Sequence, residues 1–184
     1  QFTSNILGWG KYEIFYLVGM FRIVKGLFDI FFYKNIMGLP ESINQGELDY
    51  SLTRPVNTLF LVSVRRQQLK EVGSILFGIA IVIYSVMLGR VDISGLFLVN
   101  MITMTLVGLT IFYSLLMSFA MLSIFLARLT ALSSYYDVLQ TIIRVPTDIF
   151  TSQNKGLFYI FAPLAFVVTI PAKIILGKLP PSYM

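Results

Sequence analysis

ISGLFLVNMITMTLVGLTIFYSLLMSFAMLSIFLA, residues 93–127, is a run of 35 residues without a charged side chain. Two further uncharged runs occur in the chain, 18 residues at 72–89 and 17 residues at 156–172. About 20 apolar residues span a bilayer as a helix, because lipid offers the backbone no hydrogen-bond partners and a helix satisfies its own. One such run fits a buried core helix, whereas three in a chain of 184 residues indicate an all-α, polytopic membrane protein.

The composition excludes several classes of function. Charged residues make up 12% of the chain, and it has no Cys and no His, which excludes thiol chemistry, disulfides and the usual zinc sites. No phosphate-binding Gly-x-x-x-x-Gly-Lys-Ser/Thr motif, no nucleophile with its base and no paired-carboxylate motif occurs. We therefore expect no enzymatic activity and no cofactor in this chain. The net charge of +5 reports membrane topology rather than nucleic-acid binding.

We interpret residues 1–184 as one transmembrane domain whose predicted spans are 12–33, 72–89, 93–127 and 156–177. The third run is either one long helix or two short segments that break near Gly108. One helix is favoured, because no charge or proline marks a turn. Two prolines in the last span, at 163 and 171, favour a kinked or re-entrant helix whose freed carbonyls contact neighbouring protein.

Lysine and arginine placement predicts the orientation. The polar stretches 34–71 and 128–155 together contain eight of these residues, and the opposite side contains four, so both stretches are predicted to be cytoplasmic. The second stretch includes an amphipathic helix over 131–145, in which Leu132, Tyr136 and Leu139 recur at helical spacing. This helix is predicted to lie at the membrane interface and to end at a proline, residue 146.

The first polar stretch contains INQGELDYSLTRPVN, residues 43–57, in an otherwise apolar chain. Pro40 suits a first helical turn, with Glu41 adding favourable charge there, and Gly46 then ends or bends that helix. Residues 47–52 are predicted to form a second short helix that ends before Arg-Pro. A short helix with an apolar ridge and flanking charges is typical of an element that docks on another protein.

The residues of this loop resemble the cytoplasmic loop of permeases of the ABC type-2 exporter family. In particular, the loop resembles that of the branch with a Gly-x-Leu-Asp-x-x-Leu-x-Arg-Pro signature. LGWGKYEIFYLVG, residues 7–19, resembles the Gly-Trp start of that family's second span. IIRVPTDIFTSQNKGLFYIFAPLAFVVTIPAKIILG, residues 142–177, resembles its late segment, with prolines at matching places. The resemblance covers most of the chain.

The resemblance implies that the 40–56 loop forms a coupling helix for a separate ATPase subunit. Its contact or scaffold residues would be Gly46, Glu47, Leu48, Asp49, Leu52, Arg54 and Pro55. Two such subunits, with ATP and Mg²⁺, would drive a permease dimer of two copies or of this chain and a sister chain. The location implied is the plasma (inner) membrane of a bacterium. The family usually has six spans, so four of six are expected here, with truncation at both ends. Helix 131–145 fits two roles equally well, a second coupling element and an ordinary interfacial helix.

Three charged residues occur inside the first predicted span. Arg22, Lys25 and Asp29 share one helix face, and the last two have the spacing of an ion pair. Charges inside a membrane are costly and often mark pathways, so a role in substrate passage or subunit contact is predicted. The alternative is a purely structural ion pair, or extension of Lys25 toward the cytoplasm.

Two other classes of function remain open from the residues alone. One is an ion-gradient-driven secondary transporter, which favours internal repeats and midplane carboxylates. No convincing repeat occurs, and Asp29 is the only acid well inside a predicted span. The other is a non-transporting membrane scaffold subunit, which needs neither an ATPase nor charges within the membrane. No residue selects a substrate.

Overall fold

Helices make up nearly all of the described structure. A computed structural model describes residues 5–6, 9–46, 67–89, 94–125, 130–146 and 164–177. Its helices are α1 (Lys11–Phe28), α2 (Lys34–Asn44), α3 (Val72–Gly89), α4 (Gly95–Phe125), α5 (Thr130–Ile143) and α6 (Thr169–Ile175). Two strands of two residues each, β1 (Asn5–Ile6) and β2 (Trp9–Gly10), pair antiparallel before α1. The all-α fold class predicted from the sequence is confirmed.

One helical path joins the first predicted span to the polar stretch that follows it. α1 passes into α2 through a single π-helical turn, Asp29–Tyr33, without a break. After α2, Gly46 has a φ of 74°, which glycine adopts without a steric penalty. Its N–H donates to the Ile43 carbonyl at 3.0 Å, a bond typical of a helix C-terminus. The prediction that Gly46 ends the helix is therefore confirmed.

The prediction that Pro40 begins a helix is wrong. Pro40 lies inside α2, although a proline there leaves one backbone carbonyl without its usual partner. The physical reason is burial: Ile36 and Leu39 are only 1% and 2% exposed and hold α2 against the core. The polar stretch 34–71 thus begins as helix, and it ends as a 3-10 turn, Leu69–Glu71, that leads into α3.

Two of the described helices are long and apolar enough to cross a membrane. They are Leu69–Gly89, with a mean hydropathy of 2.3, and Gly95–Leu122, with a mean hydropathy of 2.0. Only 22% and 17% of an 18-residue apolar stretch within each helix is buried, so most of the apolar side chains there face outward, unlike those of a core helix in a soluble protein. α3 has the bounds predicted for the second span.

The longest uncharged run forms one helix. α4 has 31 residues and is about 46 Å long, so it does not break near Gly108. α1 is less apolar than α3 and α4, because it contains four charged residues among 18. Its crossing of the membrane stays a prediction. The predicted span 156–177 also stays a prediction, and its first eight residues, 156–163, lie outside the described residues.

α1 and α3 pack as a tight antiparallel pair. A Cβ added to Gly19 would lie 2.9 Å from the Gly78 carbonyl oxygen, and one added to Gly78 would lie 3.0 Å from the Gly19 carbonyl oxygen. At the other end of the contact, Gly89 lies against the ring of Tyr12, and the Ser85 hydroxyl donates to the Tyr12 carbonyl. Small residues allow helices to approach closely in lipid, where association depends on packing and interhelical hydrogen bonds.

The segment around α6 approaches α4 more closely still. A Cβ added to Gly108 would lie 2.3 Å from the Val167 carbonyl oxygen, so only a hydrogen atom fits there. Val167 lies just before α6, and Pro171 is the third residue of that helix, where a backbone N–H has no acceptor within the helix. The contact at Gly108 is therefore close packing, and the expected carbonyls freed by proline stay a prediction.

α5 places its apolar ridge on protein. The buried side chains are at most 4% exposed: Leu132, Tyr136, Leu139 and Ile143. The ring of Tyr136 lies 6.1 Å from the rings of Phe28 and Phe112, which belong to α1 and α4. The predicted amphipathic helix is thus present as Thr130–Ile143 and ends shortly before Pro146. Its location at the membrane interface stays a prediction.

Candidate functional site

The residues predicted to be functional fall into two groups. Arg22 and Lys25 lie in α1, and Asp29 is the first residue of the π turn that follows. Of the predicted coupling residues, Gly46 is described. The other six lie outside the described residues, as does the short helix predicted over 47–52: Glu47, Leu48, Asp49, Leu52, Arg54 and Pro55. The coupling role of all seven stays a prediction.

A buried carboxylate joins two helices. Asp29 is 5% exposed, and its Oδ2 forms an ion pair with Lys25 Nζ. Its Oδ1 accepts a hydrogen bond from the Tyr136 hydroxyl of α5. The predicted ion pair between Lys25 and Asp29 is therefore confirmed. Both partners matter energetically, because a buried charge without them would cost several kcal/mol.

Sequence reasoning missed Tyr136 as a member of this site. Its position in an apolar ridge predicts core packing, but a buried tyrosine hydroxyl also needs a polar partner. Burial raises the pKa of Tyr136, and the nearby Asp29 carboxylate raises it further, so the hydroxyl keeps its proton and donates. The sequence signal for this contact was a tyrosine in the buried face of one predicted helix and a lone acid in another.

Aromatic packing holds this hydroxyl in place. The ring of Tyr136 lies 4.7 Å from the ring of Tyr33, at the end of the π turn. Phe28 and Phe112 lie 4.7 Å apart between α1 and α4, and both rings stack near Tyr136. The hydrogen bond from Tyr136 to Asp29 is therefore held by side chains of three packed helices rather than by a loop.

The π turn brings a third segment to the site. π turns inside α-helices are rare and are often found at functional sites. Here the Ile30 carbonyl accepts a hydrogen bond from the Gln68 N–H at 3.0 Å, which ties the residues before α3 to the end of α1. Asp29 thus lies where α1, α5 and the start of α3 meet.

A cleft with balanced charge opens beside Asp29. Its volume is about 190 Å³, and its lining has two lysines and two acids: Lys25, Asp29, Tyr33, Gln68, Lys70, Glu71 and Tyr136. Within the described ranges, no three acidic side chains come together as metal ligands would. The arrangement is that of a structural junction with compensating charges.

A second cleft, here called the cationic cleft, lies between α1 and α5. Its volume is about 280 Å³, and it is lined by Phe21, Arg22, Lys25, Asp137, Gln140, Thr141 and Arg144. Three cations face one carboxylate in it. Arg22 also lies over the ring of Phe77 in α3, with 5.6 Å between the guanidinium carbon and the ring centre. A role of Arg22, Lys25 or Asp29 in substrate passage or subunit contact stays a prediction.

The family of the chain follows from its match to a protein-family model. A model described as an ABC-2 family transporter protein matches residues 1–184. This chain belongs to the ABC-2 transporter family. It is therefore a membrane-embedded permease component of a transporter, and such components associate in general with ATPase subunits. No match was found among the curated proteins or among the solved structures.

Proposed function

We propose that this ABC-2 family chain is the permease subunit of an ATP-driven exporter in the plasma membrane of a bacterium. Two permease chains, either two copies or this chain and a sister chain, form the translocation pathway. Two ATPase subunits, which hold ATP and Mg²⁺, dock on the cytoplasmic 40–56 loop. The family match supports the transporter role, and the loop's Gly-x-Leu-Asp-x-x-Leu-x-Arg-Pro pattern supports the docking site.

The observation that carries this proposal is the unbroken helical path from Lys11 to Asn44. At about 1.5 Å per residue this path is roughly 50 Å long, and it ends before Gly46, inside the proposed 40–56 coupling loop. No flexible connection intervenes between the first predicted span and the loop. A displacement of the loop is therefore passed along the helix into the membrane part of the chain.

Two contacts spread that displacement to other helices. α1 moves with α3, because their backbones touch at Gly19 and Gly78. α5 is joined to the same path through Tyr136 and Asp29. ATP binding by the ATPase pair then shifts the permease between two arrangements, provided that these differ in their contacts with the ATPase subunits.

The experiment replaces two predicted coupling residues, Glu47 and Arg54, by alanine in the intact transporter. We expect the double variant to retain about tenfold less ATPase subunit on purification, because charged contacts across an interface are lost. ATP hydrolysis by the reconstituted complex should fall in parallel. Lys34→Ala is the matched control, since Lys34 is an exposed charge of α2 on the same side of the protein.

A double variant that retains its ATPase subunits and hydrolyses ATP at the rate of the Lys34→Ala control would overturn the coupling role of the loop. Loss of the permease itself from the membrane would show a folding defect instead. The amount of permease per membrane is therefore measured alongside. A Gly46→Ala variant tests the same coupling role in a second way, because the added Cβ is strained at a φ of 74°.

A further inference from the structure

Among the described residues, the charges of the cationic cleft are not balanced by neighbouring side chains. Lys25 is already paired with Asp29, outside the cleft. Arg22 and Arg144 have no ion-pair partner among the described residues, although Asp137 lines the same cleft. Two arginines therefore face one carboxylate, and the cleft has an excess of positive charge.

The cleft borders an exposed apolar surface of α3. Arg22 lies over Phe77, whose side chain is 56% exposed on the outer face of α3. The same helix exposes Leu76 and Ile83, and it is one of the two helices apolar enough to span a membrane. A molecule that extends from the cleft along α3 therefore meets apolar side chains.

The cleft lies on the predicted cytoplasmic side of the middle of α3, at a depth from which a long arginine side chain reaches toward the lipid headgroups. Phe77 is five residues from the start of α3 at Val72, which is about 8 Å along the helix. By the lysine and arginine distribution, this end of α3 is the predicted cytoplasmic end. Arginines at this depth are costly without a counter-charge, and the phosphate of a lipid supplies one.

We propose that the cationic cleft binds the phosphate group of an anionic membrane lipid from the cytoplasmic leaflet. Arg22 and Arg144 contact the phosphate oxygens, and the Gln140 amide provides a further donor at the cleft wall. The acyl chains lie along the exposed apolar face of α3. Asp137 opposes binding, because its carboxylate repels the phosphate.

The test is native mass spectrometry of the intact transporter in neutral detergent, titrated with phosphatidylglycerol, phosphatidylcholine or inorganic phosphate. We expect phosphatidylglycerol to bind more tightly than phosphatidylcholine. Arg144→Gln should weaken phosphatidylglycerol binding about fivefold, the effect of one basic residue at a membrane surface. Asp137→Asn should strengthen it by a similar factor. Lys34→Gln, which removes a charge outside the cleft, should leave it unchanged.

Arg144→Gln is the decisive variant, because Arg144 is exposed at the end of α5. Arg22→Gln is a second variant, but the Arg22 Cβ lies against Gly78 in the α1–α3 contact. Equal binding of the two lipids, or equal effects of Arg144→Gln and Lys34→Gln, would overturn the proposal. If inorganic phosphate bound with the same dependence on Arg144 and displaced phosphatidylglycerol, lipid as the source of the phosphate would be wrong.

Discussion

α1 and α3 lie against each other, yet the helix that carries charged residues is the more buried of the two. α1 carries Lys11, Glu13, Arg22 and Lys25, and more than half of its 18 residues are buried. α3 carries no charged residue, and only four of its 18 residues are buried. A water-soluble protein would place the charged helix outside and the uncharged one inside.

The difference is the one expected of two helices in a membrane protein. Lipid does not repel apolar side chains, so α3 gains little by hiding them, whereas the charges of α1 must find partners in the protein. What holds the two helices together is then close packing at Gly19 and Gly78 rather than burial of an apolar ridge. Three predictions test this contrast.

The buried charge of the first helical path gives the strongest test. Asp29→Ala leaves Lys25 and the Tyr136 hydroxyl without their partner, so we expect the free energy of unfolding in bicelles to fall by about 3–5 kcal/mol. Glu41→Ala, an exposed acid of α2, should change it by less than about 0.5 kcal/mol. The double variant Lys25→Ala, Asp29→Ala should be more stable than Asp29→Ala alone. A similar small loss in all three variants would show that the ion pair contributes little.

The outward face of α3 gives the second test. Ile83 is near the middle of α3 and 49% exposed, so Ile83→Asp should make membrane insertion of this helix about 2.5–3.5 kcal/mol less favourable. The measurement is the inserted fraction of α3 in a translocon assay, with Ile83→Ala as the control. On the surface of a soluble protein the aspartate would be harmless. Unchanged insertion of the Ile83→Asp helix would therefore contradict a lipid environment around α3.

Close packing gives the third and smallest test. Gly108→Ala places a Cβ against the Val167 carbonyl oxygen and should lower the free energy of unfolding by about 1–3 kcal/mol. Gly38→Ala has open space around its Cβ within α2, so it should raise stability by up to about 1 kcal/mol through helix propensity. The two changes are chemically identical and should differ in sign. Equal effects would mean that α4 and Val167 do not touch in the membrane.

Features that depend on neighbouring residues could be predicted from the sequence. The uncharged run at 72–89 became α3 with the same bounds, because a long apolar segment in lipid has to satisfy its own backbone as a helix. The pair of Lys25 and Asp29 followed from their spacing on one helix. The end of the first helical path at Gly46 followed from glycine's tolerance of positive φ.

Features that depend on distant residues required the folded chain. Asp29 and Tyr136 are 107 residues apart, and no local pattern pairs them. The cationic cleft likewise combines residues of α1 with residues of α5, and Pro40 stays helical only because its neighbours are buried. Helix periodicity sets the relation between residues a few positions apart, so the sequence alone is enough for those. Which helix face meets which is set by packing, where a glycine or a single hydroxyl decides the contact, and that is visible only in the assembled bundle.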